Sequence, residues 1–401
     1  MSLFLLTDRV EIGNIFTAKL EYSVYQSLAK GMLKIFKVTS KIGVYAVIVF
    51  LCSLCAAKQT HQEERPLPKV VMGYYYTLER DNFDHTKIEY KHITHLAHAF
   101  TMPDSEGNLV IEEGYLYPEL ITAAHKNGVK VIMSVGGWGR SEGFPGMAQR
   151  RENRQRFIEQ VLDFCETYSY DGVDIDWEYV SNPEEQEDFI DLSRELSDAL
   201  KSHEPPLLLT IAVPAGHFWG RWFSYEEVVE YYDFISFMTY DFHGEWTDHS
   251  GHNSPLYRCY HDLCGSVDDS YKYALSRQIP KEKLLLGIPF YGRSFDCGGL
   301  YQKFHKCESY SFAEVMDLLN AGWNSEWDDC AKVPYLLKPD RSKMISYENE
   351  RSVRLKCQYI KEKDVAGVIL WELSDDHYQG SSALLDVVSK SFGQKGLMPR
   401  R

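Results

Sequence analysis

One short run collects the acidic side chains that could perform acid–base chemistry. Residues 170–179 hold four carboxylates, and three of them, Asp174, Asp176 and Glu178, are spaced by two. Residues two apart in a β-strand project from the same face, so these three would form a column with Cα atoms about 6.6 Å apart. Crowding like charges in a partly buried place raises the pKa of at least one carboxyl group. Such a group can act as a general acid near neutral pH.

The residues between the acids argue against two simpler explanations of the run. Val173, Ile175 and Trp177 are apolar, which does not suit a solvated acidic strand. A calcium-binding loop of the EF-hand type needs a glycine at its sixth position and a glutamate at its twelfth, within a polar body. The run lacks both features. It therefore predicts a buried strand whose end carries catalytic carboxylates.

The composition limits the classes of partner. The chain has 401 residues, of which 44% are hydrophobic and 14% aromatic, enough for a large core. Its formal net charge of −15 argues against nucleic acid or an anionic membrane surface as a partner, and is compatible with a neutral or cationic polymer. The 27 tyrosines and 8 tryptophans suit sugar binding, because flat rings stack on pyranose faces.

Strand and helix patterns alternate from residue 69 to the end of the chain. Eight runs are predicted as strands: 69–76, 93–100, 129–135, 170–179, 207–213, 234–240, 284–290 and 365–370. We expect a helix after each strand, which implies a parallel sheet, and eight such units predict an α/β fold, a (β/α)₈ TIM barrel. Its active site would lie at the carboxyl ends of the strands. The alternative, a doubly wound sheet, lacks a Gly-x-Gly-x-x-Gly motif after the first strand.

Two segments lie outside this rhythm. Residues 296–345 interrupt it between the seventh strand and its helix, and predict a small insertion on the catalytic face within a barrel domain at 68–395. Residues 1–67 form an N-terminal extension with a basic stretch after Met32 and an apolar segment at 42–57. This layout predicts a signal peptide or a signal-anchor. We expect a secreted, extracellular or periplasmic protein, or one anchored by this segment, and we interpret Met32 as the true start.

The cysteines also suit an exported protein. Six of them cluster around the predicted insertion and are expected to form disulfides of undetermined connectivity: Cys259, Cys264, Cys297, Cys307, Cys330 and Cys357. Zinc is the rival explanation, but no two of these six cysteines form a Cys-x-x-Cys pair, so we expect no metal and no cofactor. Cys165 sits apart on a predicted helix and is expected to be a small buried hydrophobic residue.

The motifs together resemble those of family-18 glycoside hydrolases, which include chitinases. The acids form Asp-x-x-Asp-x-Asp-x-Glu at 171–178, which is similar to that family's central motif. Four more stretches resemble its motifs in the same order, at 134–138, 238–241, 287–293 and 367–371. Five motifs, each at the end of a strand predicted from its own pattern, are far more specific than one. The resemblance covers roughly residues 69–393.

This resemblance implies retaining hydrolysis of β-1,4-linked N-acetylglucosamine polymers, in which the substrate's own N-acetyl carbonyl is the nucleophile. Glu178 would protonate the leaving oxygen, and Asp176 would orient the acetamido N–H group. Asp174 would pair with Asp176. Tyr240 would donate a hydrogen bond to the acetamido carbonyl, and Asp241 would contact the sugar.

The resemblance also implies residues around the sugar. Trp371 would form the hydrophobic floor of the site, and Met238 would pack beneath it. The other expected cleft residues are Tyr74, Phe100, Trp138, Tyr291 and Arg293. Val180 and Glu372 depart from the family pattern, which often has a proline and a small or apolar residue there, and this puts fine substrate preference in question.

Two other functions fit the same motifs. One is an endo-β-N-acetylglucosaminidase that acts on peptidoglycan or N-glycans. The other is a chitin-binding lectin, a catalytically weak protein on the same barrel, although family lectins typically lose the glutamate that Glu178 retains here. In each case the partner is an N-acetylglucosamine-containing glycan, chitin in the first place, and we expect a monomer.

Overall fold

The computed structural model describes residues 69–259 and 262–393, so the predictions for residues 1–67 lie outside the described part of the chain. The strands in chain order are β1 (Val70–Tyr76), β2 (His95–Pro103), β3 (Leu109–Val110), β4 (Lys130–Gly136), β5 (Gly172–Asp176), β6 (Leu208–Pro214), β7 (Phe234–Met238), β8 (Leu284–Pro289), β9 (Tyr291–Phe295), β10 (Cys307–Ser311), β11 (Asn324–Asp328), β12 (Val333–Leu337), β13 (Met344–Ser346), β14 (Gly367–Trp371), β15 (His377–Tyr378) and β16 (Ser381–Ser382).

Eight of these strands close into a parallel barrel. Their order around the barrel is β1, β2, β4, β5, β6, β7, β8 and β14, and β14 pairs with β1 to complete the circle. Side chains of the barrel strands, among them Met72, Ile132, Leu285 and Ile369, fill the interior and are fully buried. The interior is thus a packed core rather than a pore, as the fold requires. The predicted (β/α)₈ barrel is confirmed.

Helices surround the barrel: α1 (Pro118–Lys126), α2 (Phe144–Gln149), α3 (Arg151–Tyr168), α4 (Pro183–Ser202), α5 (His217–Gly220), α6 (Tyr225–Val228), α7 (Val267–Ser276), α8 (Phe312–Asn320), α9 (Glu350–Lys363) and α10 (Ala383–Phe392). Their starts follow from capping. The Asn182 side chain, for example, accepts hydrogen bonds from the backbone N–H groups of Glu184 and Glu185 and so begins α4. None of the helices described between residues 69 and 393 is both long and apolar enough to cross a membrane.

The expectation of a helix after every strand is wrong at β1. Three short 3₁₀ turns follow it, at Thr77–Glu79, His85–Lys87 and Tyr90–His92. The Asp84 carboxylate accepts a hydrogen bond from the Thr86 backbone N–H. Aspartate side chains that bond to the nearby backbone in this way favour turns over a continuous helix.

The predicted insertion is a small sheet between β8 and α9. Five antiparallel strands in the order β10, β9, β13, β12 and β11 form it together with α8. The sheet begins at Tyr291 rather than at 296, because the chain remains extended after β8 and pairs with β10 and β13. Tyr291 and Arg293 therefore lie on the insertion and not on a barrel strand.

The cysteine prediction is only partly correct. Cys259 and Cys330 form a disulfide that links the loop after β7 to the insertion. The expectation of pairing is wrong for the other four clustered cysteines, because Cys264, Cys297, Cys307 and Cys357 are free. Cys357 is fully buried in the core on α9, where it packs as a small apolar residue. Cys165 is likewise a free, buried thiol, as expected.

Candidate active site

The side chains of strand β5 alternate between the outside and the inside of the barrel. Val173 and Ile175 pack into the hydrophobic layer around the barrel, whereas Asp174 and Asp176 project from the opposite face, that of the barrel interior. Both carboxylates are buried, at 0% and 3% exposure. The spacing of two therefore places Asp174 and Asp176 in one column, at the carboxyl end of the barrel. The prediction that Glu178 lies on the same strand is wrong, because β5 ends at Asp176.

Asp174 is held by three hydroxyl groups from three other strands. Its Oδ2 accepts hydrogen bonds from the Tyr74 hydroxyl and from Ser134 Oγ, each at 2.8 Å. Its Oδ1 accepts from Thr210 Oγ1 at 2.6 Å. Burial raises the pKa of Asp174, and the three donors oppose that shift. These donors immobilise the carboxyl group at the base of the column.

Asp176 follows Asp174 on the same face of β5, and one of its carboxylate oxygens is not hydrogen-bonded. Its buried Oδ1 has no hydrogen-bond partner among the described residues. Burial, followed by the charges of Glu178 and Asp174, raises the pKa of Asp176 well above its ordinary value. A buried polar atom without a partner is costly, and in a native site it marks a place where a ligand can donate.

Glu178 follows the strand and is held through its backbone. Its N–H donates to Ser141 Oγ at 3.0 Å, and Ser141 Oγ in turn donates to the Asp176 carbonyl at 3.1 Å. Burial raises the pKa of Glu178 to about 7, a hydrogen bond with Tyr179 opposes the shift, and the charge of Asp241 adds to it. The group can therefore give up or accept a proton near neutral pH.

Two glycines, one at the end of β4 and one directly after it, make room for this arrangement. Gly136 has a φ of +109°, and a Cβ there would lie 2.2 Å from the Asp176 carbonyl oxygen. The next residue, Gly137, donates its N–H to the same oxygen at 2.7 Å. A side chain at Gly136 would push β4 away from the acidic strand.

A fourth carboxylate, Asp241, stands at the edge of the site beyond β7. Its Oδ1 accepts from the Tyr291 hydroxyl at 2.7 Å and from Arg293 Nε at 2.8 Å, and its Oδ2 accepts from Arg293 Nη2 at 2.8 Å. The backbone of Asp241 is left-handed, with a φ of +59°, and its N–H donates to Asn253 Oδ1 at 3.0 Å. The insertion strand β9 thus fixes an acid of the barrel.

Aromatic rings form the floor beside the acids. Trp371 ends β14, and its ring centroid lies 5.4 Å from that of Tyr74 and 5.6 Å from that of Phe100. Tyr240 lies 6.1 Å from Tyr291, and burial raises its pKa well above 10, so the phenol keeps its proton. Such a protonated phenol can donate a hydrogen bond to a ligand.

The structure separates the remaining predicted residues by position. Met238 packs against the interior cluster at the end of β7, beneath the site. Trp138 is 74% exposed, and its ring lies 6.4 Å from that of Tyr179. Trp138 is therefore largely exposed to solvent beside Tyr179, and the roles of all these residues remain predictions.

Several supporting residues were not predicted from the sequence. Thr210, Ser141 and Asn253 hold Asp174, Glu178 and Asp241 in place, but each lies in a different segment from the acid that it supports. Only the alternation of β6 gave a signal, because it places Thr210 on the same face of the barrel as the acids. Ser141 and Asn253 lie in loops, where no periodic pattern marks them.

Comparisons with known proteins agree with this geometry. A family model described as "Glycosyl hydrolases family 18" matches residues 70–376. Chitinase A1 of Niallia circulans is 34% identical over 284 residues, which are 62% of this chain and 41% of that protein.

Two solved structures share the architecture. The crystal structure of the Group IV chitinase of Ostrinia furnacalis in complex with allosamidin has a TM-score of 0.76 and 28% identity, and the match covers 81% of this chain and 99% of that one. The family-18 chitinase from Cycas revoluta in complex with (GlcNAc)3 has a TM-score of 0.75 and 25% identity, with 81% of this chain and 100% of that one covered.

The chain spans only 41% to 61% of the length of the first curated relatives that it matches. The family model, by contrast, covers most of this chain and includes every strand of the barrel. The barrel, the buried acids at its carboxyl end and the match to the family model agree. The chain belongs to family 18 of the glycosyl hydrolases.

Proposed function

We propose that the protein hydrolyses β-1,4-linked N-acetylglucosamine polymers, such as chitin and chitooligosaccharides, with retention of configuration. The observation that carries the proposal is the buried Asp176, whose Oδ1 lacks a partner among the described residues and which lies beside Glu178. A carboxylate so placed suits the N–H group of a 2-acetamido sugar. The similar proteins named as chitinases support the same substrate class.

In the first step Glu178 acts as the acid. Its carboxyl proton passes to the glycosidic oxygen as the bond from that oxygen to the anomeric carbon breaks. The acetamido carbonyl oxygen of the same sugar forms a new bond to the anomeric carbon, which gives an oxazolinium ion. Asp176 accepts a hydrogen bond from the acetamido N–H and stabilises the positive charge, and Tyr240 donates to the acetamido oxygen.

In the second step Glu178 acts as the base. Its carboxylate takes a proton from a water molecule while the water oxygen bonds to the anomeric carbon, and the bond from that carbon to the acetamido oxygen breaks. Two inversions at one carbon give net retention. Asp174, held by its three donors, keeps Asp176 in place, and protons on the three acids belong to the group rather than to any single residue.

The test is product analysis on N-acetylglucosamine oligomers, with peptidoglycan and an N-glycoprotein beside them. We expect turnover of the oligomers, with the β-anomer formed first as judged by NMR. The Glu178→Gln variant keeps the shape of the side chain but has no proton to donate, so turnover should fall by about 10²–10⁴-fold while oligomer binding persists.

Other outcomes would indicate a different catalytic acid or a different function. Normal turnover in Glu178→Gln would show that another group is the acid. Turnover of peptidoglycan or the glycoprotein alone would indicate an endo-β-N-acetylglucosaminidase, and binding without any turnover would indicate a lectin.

We also propose that the protein is exported. The basic stretch after Met32, the apolar segment 42–57 and the pair Ala56-Ala57 support this. N-terminal sequencing of the protein recovered outside producing cells tests it. An N-terminus shortly after residue 57 is expected, and retention of the whole chain inside the cells would contradict the proposal.

A further inference from the structure

Four side chains with metal-binding atoms meet in the loop between β7 and α7. They are His243, His249, Asp262 and Cys264, and one ligand atom from each lies within 4.8 Å of the others. The side chains of His243 and Asp262 are 0% and 4% exposed, whereas that of His249 is 30% exposed. The cluster is therefore buried on one side and accessible to solvent on the other. Neither the acid column nor the proposed hydrolysis uses any of the four.

Hydrogen bonds fix the protons on the two imidazole rings. His243 Nδ1 lies 2.9 Å from the His252 carbonyl oxygen, which can only accept, so this nitrogen carries the hydrogen. His249 Nδ1 lies 2.6 Å from a carboxylate oxygen of Asp248 and donates in the same way. In the neutral rings, both Nε2 atoms then present bare lone pairs. Metal-binding histidines are typically held by such a bond from the other ring nitrogen.

These two lone pairs face each other. The Nε2 atoms of His243 and His249 are 3.3 Å apart. Asp262 adds negative charge, with Oδ2 3.4 Å from the first nitrogen and Oδ1 4.0 Å from the second. Two nitrogen lone pairs and a carboxylate repel one another at such distances, so the cluster needs a positive charge at its centre. Either a proton or a metal ion can supply it.

The geometry and the donor set favour the metal ion. In a tetrahedral zinc site with Zn–N distances of about 2.0–2.1 Å, the ligand nitrogens lie about 3.3 Å apart. Two imidazoles, a carboxylate and a thiolate are ligands of zinc, whereas Ca²⁺ and Mg²⁺ require oxygen. We propose that His243, His249, Asp262 and Cys264 form a structural Zn²⁺ site, with all four tetrahedral positions taken by the protein. Binding would release the thiol proton of Cys264 to solvent.

Such an ion would stabilise the loop that follows Asp241 at the edge of the site. The loop that it would close begins two residues after Asp241 and contains Asn253, which accepts from the Asp241 N–H and donates to the Tyr291 carbonyl. It also carries Trp246, whose ring lies 5.2 Å from the Arg293 guanidinium. Loss of the ion should therefore weaken substrate binding more than the chemical step. The expectation of no metal rested on the lack of a Cys-x-x-Cys pair among the six clustered cysteines, but these ligands are spread over 22 residues, from 243 to 264.

The test uses the whole purified protein after treatment with a chelator and removal of the chelator. Added Zn²⁺ should bind with a stoichiometry of one per chain and raise the melting temperature. Co²⁺ in its place should give the intense visible absorption of a tetrahedral site together with a near-ultraviolet thiolate-to-cobalt band. Neither readout depends on hydrolysis, so a failure here is distinct from a failure of the proposed function.

Variants assign the ligands. Cys264→Ser should remove the thiolate band, and His249→Gln should abolish stoichiometric binding. Cys307→Ser, at a free and half-exposed cysteine outside the cluster, and His305→Gln, at an exposed histidine of the insertion, serve as matched controls and should leave both signals unchanged.

Three results would overturn the proposal. Failure of the metal-free protein to take up Zn²⁺, with no change in melting temperature, would mean that a proton bridges the two rings. A thiolate band that survives Cys264→Ser or disappears in Cys307→Ser would place the metal elsewhere. If Cys264→Ser does not fold, the Co²⁺ spectrum of the unaltered protein decides, because a site without a thiolate band is not this one.

Discussion

Glu178 must carry a proton in the first step of the proposed reaction, so its pKa sets the upper limit of the active pH range. That pKa is raised to about 7, mainly by burial. We predict that kcat/KM on a chitooligosaccharide falls as the pH rises through about 7, by about tenfold per pH unit above it. A pH–rate profile measures this, and a rate that stays level to pH 9 would contradict the assignment of the acid.

Asp241 tunes this limit, because its negative charge raises the pKa of Glu178. In Asp241→Asn the charge is removed, while the amide oxygen can still accept from Tyr291 or Arg293. We predict that the alkaline limb of the profile shifts to lower pH, because the carboxylate form of Glu178 is then less disfavoured. Asp329→Asn, on the exposed part of the insertion, is the matched control and should leave the limb in place. An unshifted limb in Asp241→Asn would show that Arg293 already neutralises Asp241.

At the scale of elements, local patterns predicted the strands better than the contacts between them. The alternation in β5 was enough to place Asp174 and Asp176 on one face, because that periodicity is a property of the strand alone. The hydroxyl donors to Asp174 come from β1, β4 and β6. Strands β4 and β6 pair directly with β5, whereas Tyr74 of β1 reaches Asp174 only because the barrel is closed. The free Cys357 was not predicted for a similar reason, since core packing is set by neighbouring elements. The turns after β1 were not predicted because they depend on a local bond from the Asp84 side chain to the backbone, which has no periodic pattern.

The disulfide gives a prediction about two elements that are remote in sequence. Cys259 and Cys330 are 71 residues apart, and the bond ties the loop after β7 to the turn between β11 and β12. Removing a cross-link over a loop of this length is expected to cost about 4 kcal/mol in free energy of unfolding, through the added freedom of the unfolded chain. Urea unfolding of a Cys259→Ser/Cys330→Ser double variant measures it.

The control for this loss is Cys307→Ser, which removes a sulfur from the same part of the chain without breaking a disulfide. Its free energy of unfolding should stay within about 0.5 kcal/mol of that of the unaltered protein. Equal stability of the double variant and the control would show that the contacts of the insertion, rather than the disulfide, hold this side of the barrel.

The formal net charge of −15 is expected to distinguish between neutral and cationic substrates that present the same acetylated sugar to the active site. Fully acetylated oligomers are neutral, whereas partly deacetylated ones carry ammonium groups. A strongly acidic protein attracts the latter at long range, and salt screens this attraction, with a Debye length of about 10 Å at 0.1 M. We therefore predict that kcat/KM on partly deacetylated oligomers falls several-fold between about 20 and 200 mM NaCl.

The fully acetylated oligomer of the same length is the internal control, and its kcat/KM should change little over the same range of salt. The effect should appear in KM rather than in kcat, because the proposed chemistry at Asp176 and Glu178 requires an acetylated sugar whatever the rest of the chain carries. Equal salt dependence of kcat/KM for the two substrates would contradict the prediction. It would show that the net negative charge of the protein does not act on the polymer as it enters the cleft. A loss confined to the cationic oligomer would show that the acidic surface, and not only the four acids from which the site is built, selects the substrate.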